Sequence, residues 1–293
     1  MYIYYLNIAK LVLKIESPRI LLFQSSVQPF ETKESEEPNV VYSMSFEETM
    51  TVKKKIIYKG DFIAFLEGDE IGRTKGITTT KGIESVTLRK KDRDSFSIFL
   101  PKSLKEEKVL FKQINLMNYL AFEDVLVNHQ GFILHSSFIS WQNNGILFTA
   151  PSGTGKSTQA DLWKKYEDAD IYNGDRTIIR KIEGKYYGFG SPYAGSSGIY
   201  RNESAPIKAI VVIEQGPDNV IRRLHGREAF LPLFRETLMN TWNKEYMEKM
   251  TDLLMDVACQ IPVYHLSCRP DQGAVNTVKN EILKELYIIY PRK

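Results

Sequence analysis

In the first part of the chain, residues two apart share character. Leu11, Leu13 and Ile15 in LVLKIE fall at the period of a strand with one buried face. IIYKGDFIAFLEGDEIG carries short apolar runs broken at Gly60-Asp61 and Gly68-Asp69, and ITTTKGIESVTLRKKDRDSFSIFLP repeats this around Lys81-Gly82 and Asp92-Arg93-Asp94. Gly and Asp between β-branched and aromatic runs predict a meander. The charged stretch ETKESEEPN, Glu31 to Asn39, predicts an exposed loop. The period then becomes helical in KSLKEEKVLFKQINLMNYLAFEDVLVN, through Leu110, Ile114, Met117 and Leu120-Ala121.

From Gly131 the pattern changes again. GFILHSSFIS and ILFTA read as two strands, with Asn143-Asn144-Gly145 as hairpin chemistry between them. A helix is predicted after Lys156. DIYNGDRTIIR, KYYGFGS and IKAIVVIEQ read as strands. The chain beyond Arg227 reads as helical, interrupted by a short strand over Gln260 to Leu266, and a last helix is predicted to begin near Asp271 or Gln272. The expected fold class is α/β (α+β), with a mixed sheet and C-terminal helices in residues 123–293. A smaller β-rich accessory region, residues 1–122, precedes it.

Composition narrows the class. The chain has 293 residues, 43% hydrophobic and 26% charged, an ordinary globular balance. A net charge of +3 points away from nucleic acid and from membrane surfaces as partners. The clusters Lys53-Lys54-Lys55 and Arg89-Lys90-Lys91 are read as solvated faces. Two cysteines, Cys259 and Cys268, are no disulfide framework, so reduced, partly buried thiols are expected. The N-terminal MYIYYLNIAKLVLKIE is interrupted by Lys10, Lys14 and Glu16, too short an apolar run to span a membrane. Tyr2, Tyr4 and Tyr5 are expected to pair strands or fill a core, and a cytoplasmic location follows.

The main chemical signal is APSGTGKST, which fits a phosphate loop with Ala150 in place of the first glycine. Gly153 and Gly155 let the backbone turn N–H groups toward phosphate oxygens, and the following helix adds free N–H groups. Ser152, Gly153, Thr154, Gly155, Lys156, Ser157 and Thr158 are the expected nucleotide-binding residues. Lys156 reaches the β- and γ-phosphates, and the Ser157 hydroxyl suits Mg²⁺.

A phosphoryl-transfer site also needs an acid to hold the metal or orient the nucleophile. Asp175, after an Asn173-Gly174 turn, is the leading candidate; Glu214, ending the apolar run AIVVI, competes with it. His135 lies in a strand that would pair with the one entering the loop, which brings it near the phosphates. The Gly- and Ser-rich stretch from Gly188 to Asn202 reads equally as a second anion-holding loop, with Arg201 neutralising charge, or as a surface loop.

LHSSF, a hairpin into APSGTGKST, and a strand bearing NGDR together resemble the catalytic domain of HPr kinase/phosphorylase, over roughly Glu123 to Lys284. The resemblance implies a phosphate-loop core shared with phosphoenolpyruvate carboxykinase. It implies ATP and Mg²⁺ as cofactors, and phosphoryl transfer to a hydroxyl, typically a serine. By motif, Lys156 and Ser157 match the loop, His135 the strand histidine, and Asp175 the second, metal-facing acid of a pair. Gly174 stands where the family carries the first acid, the proton shuttle. The resemblance also implies a homo-oligomer. Catalytic roles are therefore expected for Asp175, His135, Lys156 and Arg201, and metal binding for Ser157 and Asp175.

The leading expectation is a Mg-ATP-dependent kinase acting on a hydroxyl of a protein, peptide or small molecule. The alternatives are an ATPase switch working with a protein partner, in which Glu214 positions water, and a nucleotide-binding scaffold.

Overall fold

The computed structural model describes residues 1–33, 37–47, 56–59, 63–66, 74–79, 82–89, 94–102, 108–111, 113–193, 195–241 and 243–289. The Lys53-Lys54-Lys55 cluster, Lys90-Lys91, the turns at Gly60-Asp61 and Gly68-Asp69, and the centre of the charged stretch 31–39 lie outside the described residues. The chain forms two compact units, Met1–Val125 and Leu126–Lys293.

The first unit carries β1 (Tyr2–Ile8), β2 (Leu11–Ser17), β3 (Ile20–Phe23), β4 (Val40–Glu47) and β5 (Ile56–Lys59). β6 (Ile63–Leu66), β7 (Thr74–Thr79), β8 (Gly82–Arg89), β9 (Ser95–Pro101) and β10 (Lys108–Phe111) follow. The helices α1 (Gln113–Tyr119) and α2 (Phe122–Asn128) come last. One sheet has the order β1-β2-β4-β9-β8-β7-β6-β5. The expected meander is present from β5 to β9, where each strand pairs antiparallel with the next. At the other end of the sheet β4 lies parallel to both β2 and β9. Parallel pairing needs long crossovers, and the stretch between β2 and β4 is long enough to supply one. Every second residue of β2 is buried, as its period requires. Tyr4 packs edge-on against Phe23, and its hydroxyl accepts from the Leu21 N–H at 2.8 Å. Tyr42 stacks on Phe96 in the core.

The stretch expected to be one helix is corrected. Leu110 sits in β10, parallel to β3, and the helices begin only at Gln113. The run Val-Leu-Phe suits a strand, and the left-handed φ of Ala121 separates α1 from α2.

The second unit contains β11 (Gly131–Trp141), β12 (Asn144–Thr149), α3 (Lys156–Glu167), β13 (Asp170–Asn173) and β14 (Arg176–Ile182). It continues through β15 (Lys185–Phe189), β16 (Ser204–Gln215), β17 (Val220–Leu224), α4 (Arg227–Glu236), α5 (Lys244–Gln260), β18 (Val263–Cys268) and α6 (Gln272–Ile289). The β11–β12 hairpin turns at Gln142 and Asn143, both left-handed, one residue earlier than expected. The sheet order is β12-β11-β14-β15-β16-β18-β17, and β12 also pairs parallel with β16. The strands β12, β11, β14, β15 and β16 therefore close on one another. The sheet is mixed, as expected: β12, β16 and β18 run parallel and the other pairings are antiparallel.

Two buried clusters hold this unit. One joins Leu134, Phe138, Ile210 and Val263 to Leu233 of α4 and Met250, Leu254 and Val257 of α5. The other joins Ile139, Phe148, Val211 and Leu266 to Trp163 of α3 and Val275 and Val278 of α6. Burial on both faces explains the near-continuous apolar run of IKAIVVI. Cys268 is buried and Cys259 exposed, both as free thiols. Among the described residues no helix is long and apolar enough to cross a membrane.

Trp163 is fully buried, edge-on to Trp141 at 5.4 Å between ring centres. Trp163→Ala should cost about 3–5 kcal/mol of stability, read by denaturant unfolding, because the cavity it leaves has rigid walls.

Candidate functional site

The site is built where β12 ends. The residues from Ala150 to Gly155 leave the strand as an open loop, and α3 starts at Lys156. Gly153 and Gly155 have φ of 82° and 115°, conformations that side chains other than glycine adopt at a cost. The N–H groups of the first turn of α3 lack helical partners and face the loop's concavity. Ser152, Gly153, Ser157 and Thr158 are exposed, and Thr154 is half-buried. The loop is braced from neighbouring strands. The Ser137 hydroxyl of β11 donates to the Lys156 carbonyl at 2.8 Å, and Gln215 of β16 donates to the Thr154 carbonyl at 3.3 Å.

Lys156 is only 7% exposed. Its Nζ donates to the carbonyls of Ala150 (2.8 Å) and Pro151 (3.2 Å). Burial pushes its ammonium below the usual lysine range, while the charges of Glu236 and then Asp175 pull it back up. A cation held this way lacks a full counter-charge.

His135 and Asp175 come together. His135 Nε2 lies 3.6 Å from Asp175 Oδ1, and the Asp175 Oδ2 lies 3.6 Å from Arg176 Nε. The backbone fixes both positions. Thr149 donates to the His135 carbonyl at 3.0 Å, and the Ser136 N–H donates to the Asp175 carbonyl at 2.9 Å. Asn173 is fully buried, and its side-chain oxygen accepts from the N–H groups of Asp175 (2.9 Å) and Arg176 (2.7 Å). Its amide donates to the carbonyls of Ser191 and Tyr193. The Asn-Gly-Asp turn is therefore an Asx turn that aims Asp175 outward.

Two expected residues do not join the group. Arg201 pairs with Asp170 at 2.9 Å, at the far end of β13 from Asp175. Glu214 is sent to the opposite side of β16 from Ile213 and Gln215, which face the loop, and it pairs with His265 at 2.7 Å. Strand alternation thus separates Glu214 from the phosphate side.

Sequence reading missed Glu236. It ends α4, and its Oε2 lies 2.9 Å from Nδ1 of His135. The Leu238 N–H donates to the Ile133 carbonyl, which lashes the end of α4 to β11. No short-range pattern marks Glu236, because its partner is far away in sequence. Arg176 was also passed over, although its adjacency to Asp175 was visible.

Two cavities lie at this site, one against the loop and one against the His135–Asp175 pair. One of about 340 Å³ is lined by Gly153, Thr158, Gln159, Ile213, Gln215 and Cys268, among others. The other, about 240 Å³, is lined by His135, Asp175, Arg176, Arg235 and Glu236 together with Ile133, Thr237 and Leu238.

No protein-family model matches this chain, and no curated protein matches it. Among solved structures it is similar to the HPr(Ser) kinase/phosphatase from Coxiella burnetii, at a TM-score of 0.32 and 10% identity, over 55% of this chain and 99% of that chain. That likeness is distant.

Because the Lys156 ammonium is desolvated without a paired carboxylate, Lys156→Met should leave the thermal midpoint unchanged or slightly raised. The same variant should lose binding of a fluorescent nucleotide triphosphate. A large drop in the midpoint would make the lysine structural.

Proposed function

We propose that the second unit is a nucleoside-triphosphate-dependent phosphotransferase, with ATP as the donor and a hydroxyl as the acceptor. One observation carries this reading: a buried, under-neutralised loop lysine shares its field with Asp175 beside a cavity that also holds His135. A phosphate-binding element alone supports a scaffold or a switch. An acid whose charge reaches the lysine, with an imidazole beside it and room for a second molecule, supports group transfer.

The loop N–H groups and Lys156 bind the β- and γ-phosphates, and the larger cavity takes the nucleoside. The acceptor enters the smaller cavity with its hydroxyl toward the γ-phosphorus. A new oxygen–phosphorus bond forms, and the bond to the β,γ-bridging oxygen breaks. The electron pair leaves on the nucleoside diphosphate, and the acceptor's proton passes to Nε2 of His135. Lys156 offsets the charge that grows on the phosphoryl oxygens.

The donor set fits Mg²⁺. Both Asp175 oxygens have only long contacts at 3.6 Å, and the Ser157 hydroxyl is exposed nearby in sequence to the loop lysine. Among the described residues no group of three or more His, Cys, Asp or Glu forms a metal cage. That is the pattern of an ion held mainly by substrate phosphates, with one carboxylate and one hydroxyl from the protein. Bound there, Mg²⁺ would supply charge neutralisation between the phosphates.

The acceptor is taken to be a protein, peptide or small molecule without nucleic acid or membrane involvement. The first unit is assigned an accessory role, and assembly into a homo-oligomer and a cytoplasmic location belong to the same proposal.

Incubation with Mg-[γ-³²P]ATP and an extract of the source cells tests the reading. Label should move to an acceptor, and Asp175→Asn should lower that rate at least about 100-fold with nucleotide affinity within a few-fold of the original. Label released only as free phosphate, at a rate no extract changes, would replace transfer with hydrolysis.

A further inference from the structure

The proposed transfer needs a group that takes the acceptor's proton, and His135 alone does not define one. A neutral imidazole carries its proton on either nitrogen, and only one form leaves Nε2 open. The packing around the Asn-Gly-Asp turn shows why the second carboxylate is not beside Asp175. A side chain on Gly174 would run into the Ser197 hydroxyl, and the turn Gly195–Ser197 sits so close that a Cβ on Gly195 would meet Asp175 at 2.5 Å. The loop is held there at both ends by Asn173, through its side-chain bonds to Ser191 and Tyr193 and its bridge to Tyr200. A side chain at 174 would have to displace Ser197.

The carboxylate comes from α4 instead. Glu236 Oε2 lies 2.9 Å from Nδ1 of His135, with its side chain 15% exposed against 30% for the imidazole. A carboxylate only accepts, so this bond requires the proton on Nδ1, and in the neutral imidazole Nε2 is then the acceptor. Nε2 is also the nitrogen on the Asp175 side. The contact is built rather than incidental. The Leu134–Thr237 bridge and the bond from the Leu238 N–H to the Ile133 carbonyl pin the two residues just before His135 to the residues just after Glu236. Thr237 in turn donates to the Leu233 carbonyl, closing the helix end that carries the glutamate.

We propose that Glu236 is the positioning residue of this site: it holds the Nδ1–H of His135 so that Nε2 faces the acceptor hydroxyl, supplying from α4 the carboxylate that Gly174 does not bear. This rests on the phosphotransferase reading for its catalytic meaning, but the geometry is testable without turnover.

Long-range ¹H–¹⁵N spectra of the imidazoles in the unliganded full chain, assigned with His135→Gln, read the tautomer directly. The wild type should show the proton on Nδ1. Glu236→Ala should move it largely to Nε2, with the fold retained by circular dichroism, and Glu236→Asp should keep part of the Nδ1 form. In single-turnover transfer from Mg-[γ-³²P]ATP at saturating nucleotide, Glu236→Ala should slow the step about 10–100-fold. Combined with His135→Gln it should add little further loss. An Nδ1 that carries no proton in the wild type, or a tautomer indifferent to Glu236→Ala, overturns the proposal, whatever the activity. A tautomer that responds as stated in a chain that transfers no phosphoryl group overturns the phosphotransferase reading, and with it the catalytic meaning of the pair.

Discussion

A lysine taken out of water at the start of a helix is the constraint on which the site depends. Lys156 is nearly buried, yet its direct partners are two loop carbonyls. Desolvating an ammonium group without a paired anion is unfavourable, and the loop tolerates it because the charges of Glu236 and Asp175 act from across the site. The two carboxylates stand apart in sequence and on different elements. The lysine thus lacks a directly bonded anion, and the two carboxylates that make it tolerable line the smaller cavity.

Sheet closure delivers those residues. β11 pairs with β12, which feeds the loop, and with β14, which follows Asp175. One strand therefore sets His135, the base of the loop and the acid turn in fixed register. Two hydrogen bonds lock that register, from the Thr149 hydroxyl to the His135 carbonyl and from the Ser136 N–H to the Asp175 carbonyl. The helix α4 packs its apolar face into the cluster under the sheet and brings Glu236 to the rim. Such convergence from separate elements is how a rigid scaffold holds a polar group in place within fractions of an ångström.

The same packing explains which expected residues stay apart. Arg201 is neutralised by Asp170 at the other end of β13, and the pleat of β16 turns Glu214 away from the loop. Arg176 and Arg235 are the cations that line the smaller cavity. The Gly-rich segment, expected either to bind anions or to lie on the surface, is exposed at Gly195, Ser196 and Gly198 and rests on the Asp175 turn through Gly195 and Ser197.

Local chemistry was legible in the residues themselves. The period of β2, the hairpin before the loop, the Gly-X-Gly-Lys-Ser turn and the start of α6 all follow from interactions within a few residues, so the chain alone determines them. The strand-helix boundary near Leu110 was misread because a short apolar run satisfies both periods. What only the tertiary structure decided is everything that depends on which face of a strand meets which distant element. The parallel insertion of β4 between β2 and β9 is of this kind, as are the exclusion of Glu214 and Arg201 and the arrival of Glu236 at His135. Contacts of that sort are set by the closing of sheets and the docking of helices, long-range packing that leaves no periodic trace in the sequence.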